Sequence, residues 1–174
     1  MKIGCKYGTH RVIEPKGVLP QAAHIIDNTM EIYDNEILID VKALNIDSAS
    51  FTQLKNANDN NPDLVGQAIL DIVGERGKMQ NPVTGSGGML IGTIKKIGPK
   101  LEQTHDLKVG DQIATLVSLS LTPLMIKEIT KIHMDIDRVE INGEAILFQS
   151  GIYAKLPEDM DESLKAIDYI KETA

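Results

Sequence analysis

Apolar and polar residues alternate most clearly between residues 36 and 46. Four apolar side chains fall on one face of this segment, at Ile37, Ile39, Val41 and Ala43. Because successive side chains of a strand point to opposite faces, this pattern predicts a half-buried β-strand.

A different spacing begins at Pro62. The apolar residues that recur at helical intervals are Leu64, Val65, Ala68, Ile69, Ile72 and Val73. Proline at the start is typical of a helix, and Gly74 and Gly77 follow near its end. The pattern therefore predicts an amphipathic helix from about 62 to 76.

Further apolar runs predict buried strands over 90–97 and 112–119, separated by a polar loop over 99–110. The pair Asn142-Gly143 stands between apolar segments, which is typical of a hairpin with a tight two-residue turn. We therefore expect strands on both sides of this pair.

Two shorter helices are also expected. Thr122 and Pro123 favour a helix start, with the helix continuing to about residue 131. Asp161 is a capping residue before a segment with apolar residues on one side, which predicts a last helix over about 161–172.

The fold class that follows is mainly β with a few helices. Residues 1–35 carry glycine and proline between short apolar pieces, which predicts loops and short edge strands. Short strands separated by glycine turns favour a partly open β-barrel. A chain of 174 residues is expected to form one domain with a core of its own.

The net negative charge of the chain indicates which classes of molecule it can bind. The formal net charge is -7 and the pI is about 5.1, which disfavours nucleic acid and anionic membranes but suits a cationic small molecule. The alternative is that this acidity only keeps the protein soluble. The single cysteine, Cys5, cannot form an internal disulfide, and no signal peptide is recognised, so we expect a cytoplasmic protein. No apolar run is long enough to predict a membrane span.

Candidate chemistry begins directly after the best strand. Asp47, Ser48 and Ser50 follow it, and side chains at strand ends are often functional. An aspartate flanked by hydroxyls would bind an ammonium group or relay a proton. The alternative is that these residues only form a local turn.

The glycine-rich segment 85–88 is the second candidate. It matches neither the phosphate-loop pattern nor the dinucleotide fingerprint, so its glycines are read first as a sharp turn with close backbone packing. A cofactor held by a neighbouring domain would give the same segment a further use. The four histidines lie far apart, without metal-ligand spacing, so no metal site is expected. Of these, His10 has the most site-like setting, although a surface or structural role is the alternative.

Several segments together resemble the GroES-like catalytic domain of medium-chain alcohol dehydrogenases. They are residues 36–46, residues 81–98, which end in Gly92-Thr-Ile-Lys-Lys-Ile-Gly98, and Lys108-Val-Gly-Asp-Gln-Ile-Ala114. The resemblance implies a GroES-like, partly open β-barrel. Asp47 stands where that family has its first zinc cysteine, Ala49 where it has a proton-relay hydroxyl, and Gly88 where it has a zinc histidine. These departures imply chemistry without zinc.

More narrowly, residues 7–20, 45–52, 81–92 and 114–123 resemble the zinc-free diamino-acid dehydrogenases of anaerobic lysine fermentation, and the likeness extends over about residues 1–157. It implies NAD(P)-dependent oxidative deamination of a diamino acid to a 3-oxo-5-amino acid, with release of ammonia. Asp47, Ser48 and Ser50 would then be catalytic.

The same resemblance implies roles for residues at the other side of the site. Ser86 and the backbone amides of Gly87 and Gly88 would lie near the cofactor or the substrate carboxylate, and His10 and Thr84 would contact the substrate.

Members of that superfamily also carry a Rossmann domain, which normally binds the nicotinamide cofactor. No such pattern is found in this sequence, so we expect the cofactor domain to come from another subunit or from outside these residues. The chain alone should then be inactive. The alternative is a non-catalytic GroES-like binding or assembly module that associates with itself through an exposed apolar patch.

Overall fold

An antiparallel six-stranded sheet forms the centre of the molecule. The computed structural model describes residues 1–104 and 106–157. In these residues the strands are β1 (Val12–Glu14), β2 (Ile25–Ile26), β3 (Ile37–Ile46), β4 (Gly88–Ile97), β5 (Gln112–Thr115), β6 (Leu124–His133), β7 (Arg138–Leu147) and β8 (Tyr153–Lys155). The large sheet has the order β6-β7-β3-β4-β5-β8, and β1 pairs separately with β2.

Two α-helices lie between β3 and β4. They are α1 (Ser48–Ala57) and α2 (Pro62–Arg76). Short 3-10 segments occur at Thr9–Arg11, Pro20–Ala22, Pro99–Leu101 and Leu119–Leu121. Because α2 packs against β6, its apolar stripe covers one face of the sheet.

The main core lies between the sheet and the two helices. Its fully buried side chains include Leu44 of β3, Phe51 of α1, Ile69 of α2, Leu90 of β4 and Val139 of β7. These residues come from distant parts of the sequence, so burial of apolar surface holds the end of β3 and the start of β4 firmly in place.

The strongest sequence patterns are confirmed. The alternating segment forms β3, the apolar run 90–97 lies within β4, and the helical spacing produces α2. The Asn61 side chain accepts hydrogen bonds from two backbone amides in the first turn of α2. Gly77 ends α2 in the left-handed conformation, with φ 75°.

Three predictions of local structure are wrong. The segment predicted as a helix from Thr122 to about 131 is β6, because its isoleucines pair with β7 and β-branched residues pack well on a sheet. The Asn142-Gly143 pair lies inside β7, and the turn between β6 and β7 is at residues 134–137. The strand predicted over 112–119 ends at Thr115 and is followed by a short 3-10 segment.

Gly143 of the Asn142-Gly143 pair is needed for close packing of two strands. A Cβ atom at Gly143 would lie 2.3 Å from the backbone oxygen of Met125 on the adjacent strand. Such close approach of two backbones favours glycine within a strand. The hairpin signal at Asn142-Gly143 therefore reflects strand packing instead of a turn.

The predicted fold class is confirmed. The described residues are mainly β, with antiparallel strands and two α-helices, consistent with a partly open β-barrel. The prediction of one domain over 1–174 stays a prediction, and the helix predicted over 161–172 lies outside the described residues. Among residues 1–104 and 106–157, none of the helices has the length and apolar character that a bilayer crossing requires.

Candidate functional site

The carboxyl end of β3 lies between two other segments of the chain. On one side the Asp47 amide donates a hydrogen bond to the Gly87 carbonyl, at 2.9 Å. On the other side the Ile46 amide donates to the Asp137 carbonyl, at 2.8 Å. The glycine-rich turn and the β6-β7 turn are therefore fixed on opposite sides of residues 46–47.

An open cleft of about 420 Å³ lies at this junction. Its lining residues are Asn45, Ile46, Asp47, Ser48, Gly88, Met89, Ile136 and Asp137. Both Asp47 and Ser48 are exposed, and the Asp47 carboxylate does not cap α1. Two of the three residues predicted to be catalytic therefore line one cleft, beside the predicted cofactor residue Gly88.

Ser50 is placed differently. Its side chain is fully buried, and its hydroxyl has no hydrogen-bond partner among the described residues. Its carbonyl accepts a hydrogen bond from Asn81 Nδ2 at 3.4 Å. The sequence interpretation missed α1, although Asp47 is a capping type and Phe51 and Leu54 have helical spacing. The helix turns Ser50 towards the core while Ser48 stays at the surface.

The glycine-rich turn is held by its own hydrogen bonds. The buried Asn81 side chain accepts from the Val83 amide at 2.8 Å, and the Gly85 amide donates to the Asn81 carbonyl at 2.7 Å. The hydroxyls of Thr84 and Ser86 lie 2.8 Å apart and share a hydrogen bond. Thr84 is thus exposed on the outer surface of a well-ordered turn.

Close packing accounts for two of the glycines. A Cβ atom at Gly88 would lie 2.1 Å from the Asn45 carbonyl oxygen, and Gly88 has φ 143°. A Cβ atom at Gly87 would lie 2.7 Å from the Ser120 amide nitrogen. The interpretation of these glycines as positions of close backbone approach is confirmed, while their role at a cofactor stays a prediction.

Residues 10–157 match the family described as the L-erythro-3,5-diaminohexanoate dehydrogenase N-terminal domain. The match covers most of the chain, including every residue that lines the cleft. The chain belongs to this family.

Two relatives agree with this assignment. The L-erythro-3,5-diaminohexanoate dehydrogenase of Acetoanaerobium sticklandii is 71% identical over 161 residues, which cover 92% of this chain and 47% of the relative. The protein of the same name from Fusobacterium nucleatum subsp. nucleatum is 70% identical over 164 residues, covering 94% of this chain and 48% of the relative. The chain therefore spans about half the length of these relatives.

His10 is not among the residues that line the cleft. Its Nδ1 accepts a hydrogen bond from the Cys5 amide at 2.8 Å, so its Nε2 carries the proton that is donated to Glu36 Oε2, also at 2.8 Å. The ring also packs against Tyr33, with centroids 4.3 Å apart. Both ring nitrogens are thus used within the protein, and substrate contact by His10 stays a prediction.

Glu36 is the centre of this buried cluster. The fully buried Arg11 donates to both oxygens of Glu36, at 2.7 and 2.8 Å. Burial alone would raise the pKa of Glu36. Hydrogen bonds from Arg11, His10 and the Tyr33 amide have the larger, opposite effect and lower the pKa to about 2. Glu36 is therefore ionised at neutral pH, and its hydrogen bonds fix the N-terminal segment against the start of β3.

A buried lysine was not found by sequence reasoning. Lys78 has no exposed surface, and its Nζ donates to the Pro20 carbonyl at 2.7 Å. Burial, with a smaller contribution from Arg76, lowers its pKa to about 7. The only sequence signal is its position one residue after Gly77, next to a helix end.

Residues 1–104 and 106–157 contain no group of three or more His, Cys, Asp or Glu side chains placed to hold a metal ion.

Proposed function

We propose that this chain is the substrate domain of an NAD(P)-dependent dehydrogenase that oxidatively deaminates L-erythro-3,5-diaminohexanoate. The observation that carries the proposal is the cleft at Asp47, in a chain about 70% identical to two dehydrogenases of that name. The single cysteine, Cys5, suits a reducing cytoplasm as the location.

The reaction balances as follows. The C3 carbon with its ammonium group, NAD(P)⁺ and water give the 3-oxo compound, ammonium, NAD(P)H and one proton. The C3–H bond breaks as a hydride leaves, and the C3–N bond breaks after water has added to the same carbon. The chain must therefore bind an ammonium group and take up a proton from it.

Asp47 has the properties that this role requires. Its carboxylate is exposed in the cleft and forms no hydrogen bond or ion pair with a described residue. A free carboxylate attracts the substrate ammonium and accepts its proton, which frees the nitrogen lone pair as the hydride leaves. Ser48, beside it on the cleft, is placed to donate to the added water or the 3-oxo oxygen.

The nicotinamide cofactor, when bound, accepts the hydride from C3. The surface of the glycine-rich turn suits the approach of a flat ring, because side chains from Thr84 to Gly88 are no larger than threonine. The sequence of this turn contains no dinucleotide-binding fingerprint. We therefore propose that Ser86, Gly87 and Gly88 border the cofactor, while another domain holds most of it.

An exposed apolar pair supports docking of such a domain. The side chains of Leu116 and Ile152 are 44% and 60% exposed, and the Leu116 amide donates to the Ile152 carbonyl at 2.9 Å. Leu116 begins the segment that leads to Ser118 and Ser120, which pack against Gly87. The relatives are about twice as long as this chain, so their remaining half is the occupant that we propose for this surface.

A complementation assay tests the function. NAD reduction with L-erythro-3,5-diaminohexanoate is measured for the chain alone, and for the chain mixed with or fused to the C-terminal half of the A. sticklandii relative. We expect activity only with the second half present. Activity of the chain alone would contradict the proposed division of roles, and an inactive fusion that binds NAD would contradict the proposed reaction.

Two variants sharpen this assay. Asp47→Asn keeps the shape of the side chain but removes its charge, so we expect kcat to fall by about 100-fold or more. Asp71→Asn, an exposed acid on α2, is the matched control and should leave kcat unchanged. Equal activity of the two variants would remove Asp47 from the mechanism.

A further inference from the structure

Asp137 forms the wall of the cleft opposite the glycine-rich turn. It ends the turn between β6 and β7 and is half-buried. Its carbonyl accepts the Ile46 amide, one residue before Asp47. Its φ of 58° lies in the left-handed region, which aspartate and asparagine tolerate better than most residues. The backbone therefore holds Asp137 at a fixed place relative to Asp47.

The carboxylates of Asp47 and Asp137 form no hydrogen bond or ion pair with any residue in 1–104 and 106–157. Other acids of the domain do have cationic partners. Glu36 binds Arg11, and Glu144 binds Lys95 at 2.8 Å. The described residues that line the cleft include neither lysine nor arginine. The cleft therefore presents two uncompensated negative charges to whatever enters it.

The surface of the cleft is not acidic throughout. Ile136 is 37% exposed beside Asp137, and the half-buried Met89 lies on the side of the glycine-rich turn. Apolar side chains next to separate carboxylates complement a molecule with two ammonium groups joined by a short hydrocarbon chain.

We propose that Asp137 binds the second ammonium group of a 3,5-diamino acid, the one that does not react, and makes the cleft selective for diamino over monoamino acids. This inference rests on the proposed function for the assignment of the reacting ammonium group to Asp47. It adds a specificity-determining residue from a turn that carries no part of the chemistry.

Binding to the isolated chain provides the first test. NMR titration compares 1,3-diaminopropane, whose nitrogens are separated by three carbons as in the 3,5-diamino acid, with propylamine. The wild-type chain should bind the diamine about fivefold more tightly than the monoamine, as expected for one added ion pair in a partly exposed site. In Asp137→Asn this preference should disappear.

The choice of variants keeps the test independent of folding. Asparagine retains the shape of aspartate and its tolerance of the left-handed conformation. Asp135→Asn removes a charge from the same turn at an exposed position outside the cleft, and it should keep the wild-type preference. Thermal unfolding of all three proteins shows whether they are equally folded.

Kinetics of the complemented enzyme provide the second test. Asp137→Asn should lower kcat/KM for 3,5-diaminohexanoate, through KM, by about fivefold more than it lowers kcat/KM for 3-aminohexanoate. Unchanged selectivity in Asp137→Asn would overturn the inference even if the wild-type enzyme is active. Conversely, diamine binding that depends on Asp137 in a protein without dehydrogenase activity would support the inference and contradict the proposed function.

Discussion

Replacing the buried Lys78 by methionine should remove most of the pH dependence of stability above neutral pH. In the folded protein, burial lowers the pKa of Lys78 to about 7, whereas its ordinary value is 10.5. Between these values the unfolded chain binds a proton that the folded protein does not. The free energy of unfolding therefore rises as the pH is raised through this window, and it is flat below about pH 7.

The magnitude follows from the two pKa values. Each pH unit in the window contributes about 1.4 kcal/mol, so the full effect is about 5 kcal/mol between pH 7 and pH 10.5. From pH 7 to about pH 9 the free energy of unfolding of the wild-type protein should rise by about 3 kcal/mol more than that of the variant. A shift of this size is a large part of the total stability of an ordinary domain.

The assay is urea unfolding at several values from about pH 6.5 to about pH 9.5. The quantity of interest is the difference in free energy of unfolding between wild type and Lys78→Met, because other titrating groups cancel in it. Loss of the hydrogen bond to the Pro20 carbonyl changes this difference by a constant amount. Lys100→Met is the control, because Lys100 is exposed. A difference that does not vary with pH would refute the reasoning.

Three other changes have clear expectations. Glu36→Gln should lower the free energy of unfolding at pH 7 by about 3 kcal/mol, measured by urea unfolding. It should also reduce the loss of stability as the pH falls from 4.5 towards 2, to the part that comes from other carboxylates such as Asp27 and Glu140. Gly88→Ala should lower the thermal midpoint by several degrees or prevent folding, because its Cβ would lie 2.1 Å from the Asn45 carbonyl oxygen; an unchanged midpoint in calorimetry would contradict this. Ile152→Ser should weaken complementation by the C-terminal half without changing the thermal midpoint, whereas Ile13→Ser, at another exposed isoleucine, should affect neither.

Local signals explain which elements are predictable from the sequence. The helix α2 has its capping residue Asn61, a proline at the first position and Gly77 at its end, all within the segment itself. In the strand β3 the alternation is visible where the exposed Asp40 and Lys42 stand between buried neighbours. Both elements are specified by residues that are close in sequence.

The pairing of β6 with β7 is not specified in this way. The segment after Pro123 has apolar residues at 126, 129 and 132, a spacing that also suits a helix. It becomes a strand because β7 provides hydrogen bonds and β-branched neighbours along ten residues. Such tertiary contacts override local preference and are not visible in the segment alone.

The turn predicted at Asn142-Gly143 also explains why the sequence indicates only the Asp47 side of the cleft and not the Asp137 side. Asp47 and Ser48 follow the end of β3 and are exposed in the cleft, as the sequence predicts for side chains at a strand end, while their catalytic role stays a prediction. A turn at Asn142-Gly143, as the sequence predicts, gives residue 137 no place beside the end of β3. A loop after β3 would expose Ser50 together with Asp47 and Ser48, whereas α1 buries Ser50 in the core.

Folding and recognition use different residues of this one cleft. Gly87 and Gly88 are packed against backbone atoms that leave no room for a Cβ, so a side chain at Gly88 would displace β3 and one at Gly87 would displace the backbone at Ser120. The side chains of Asp47 and Asp137 make no described contact that the fold needs, while their backbones are held by hydrogen bonds to Gly87 and Ile46. Substitution of these two carboxylates should therefore alter which amines bind while leaving stability almost unchanged, since only the charge presented to the cleft is different.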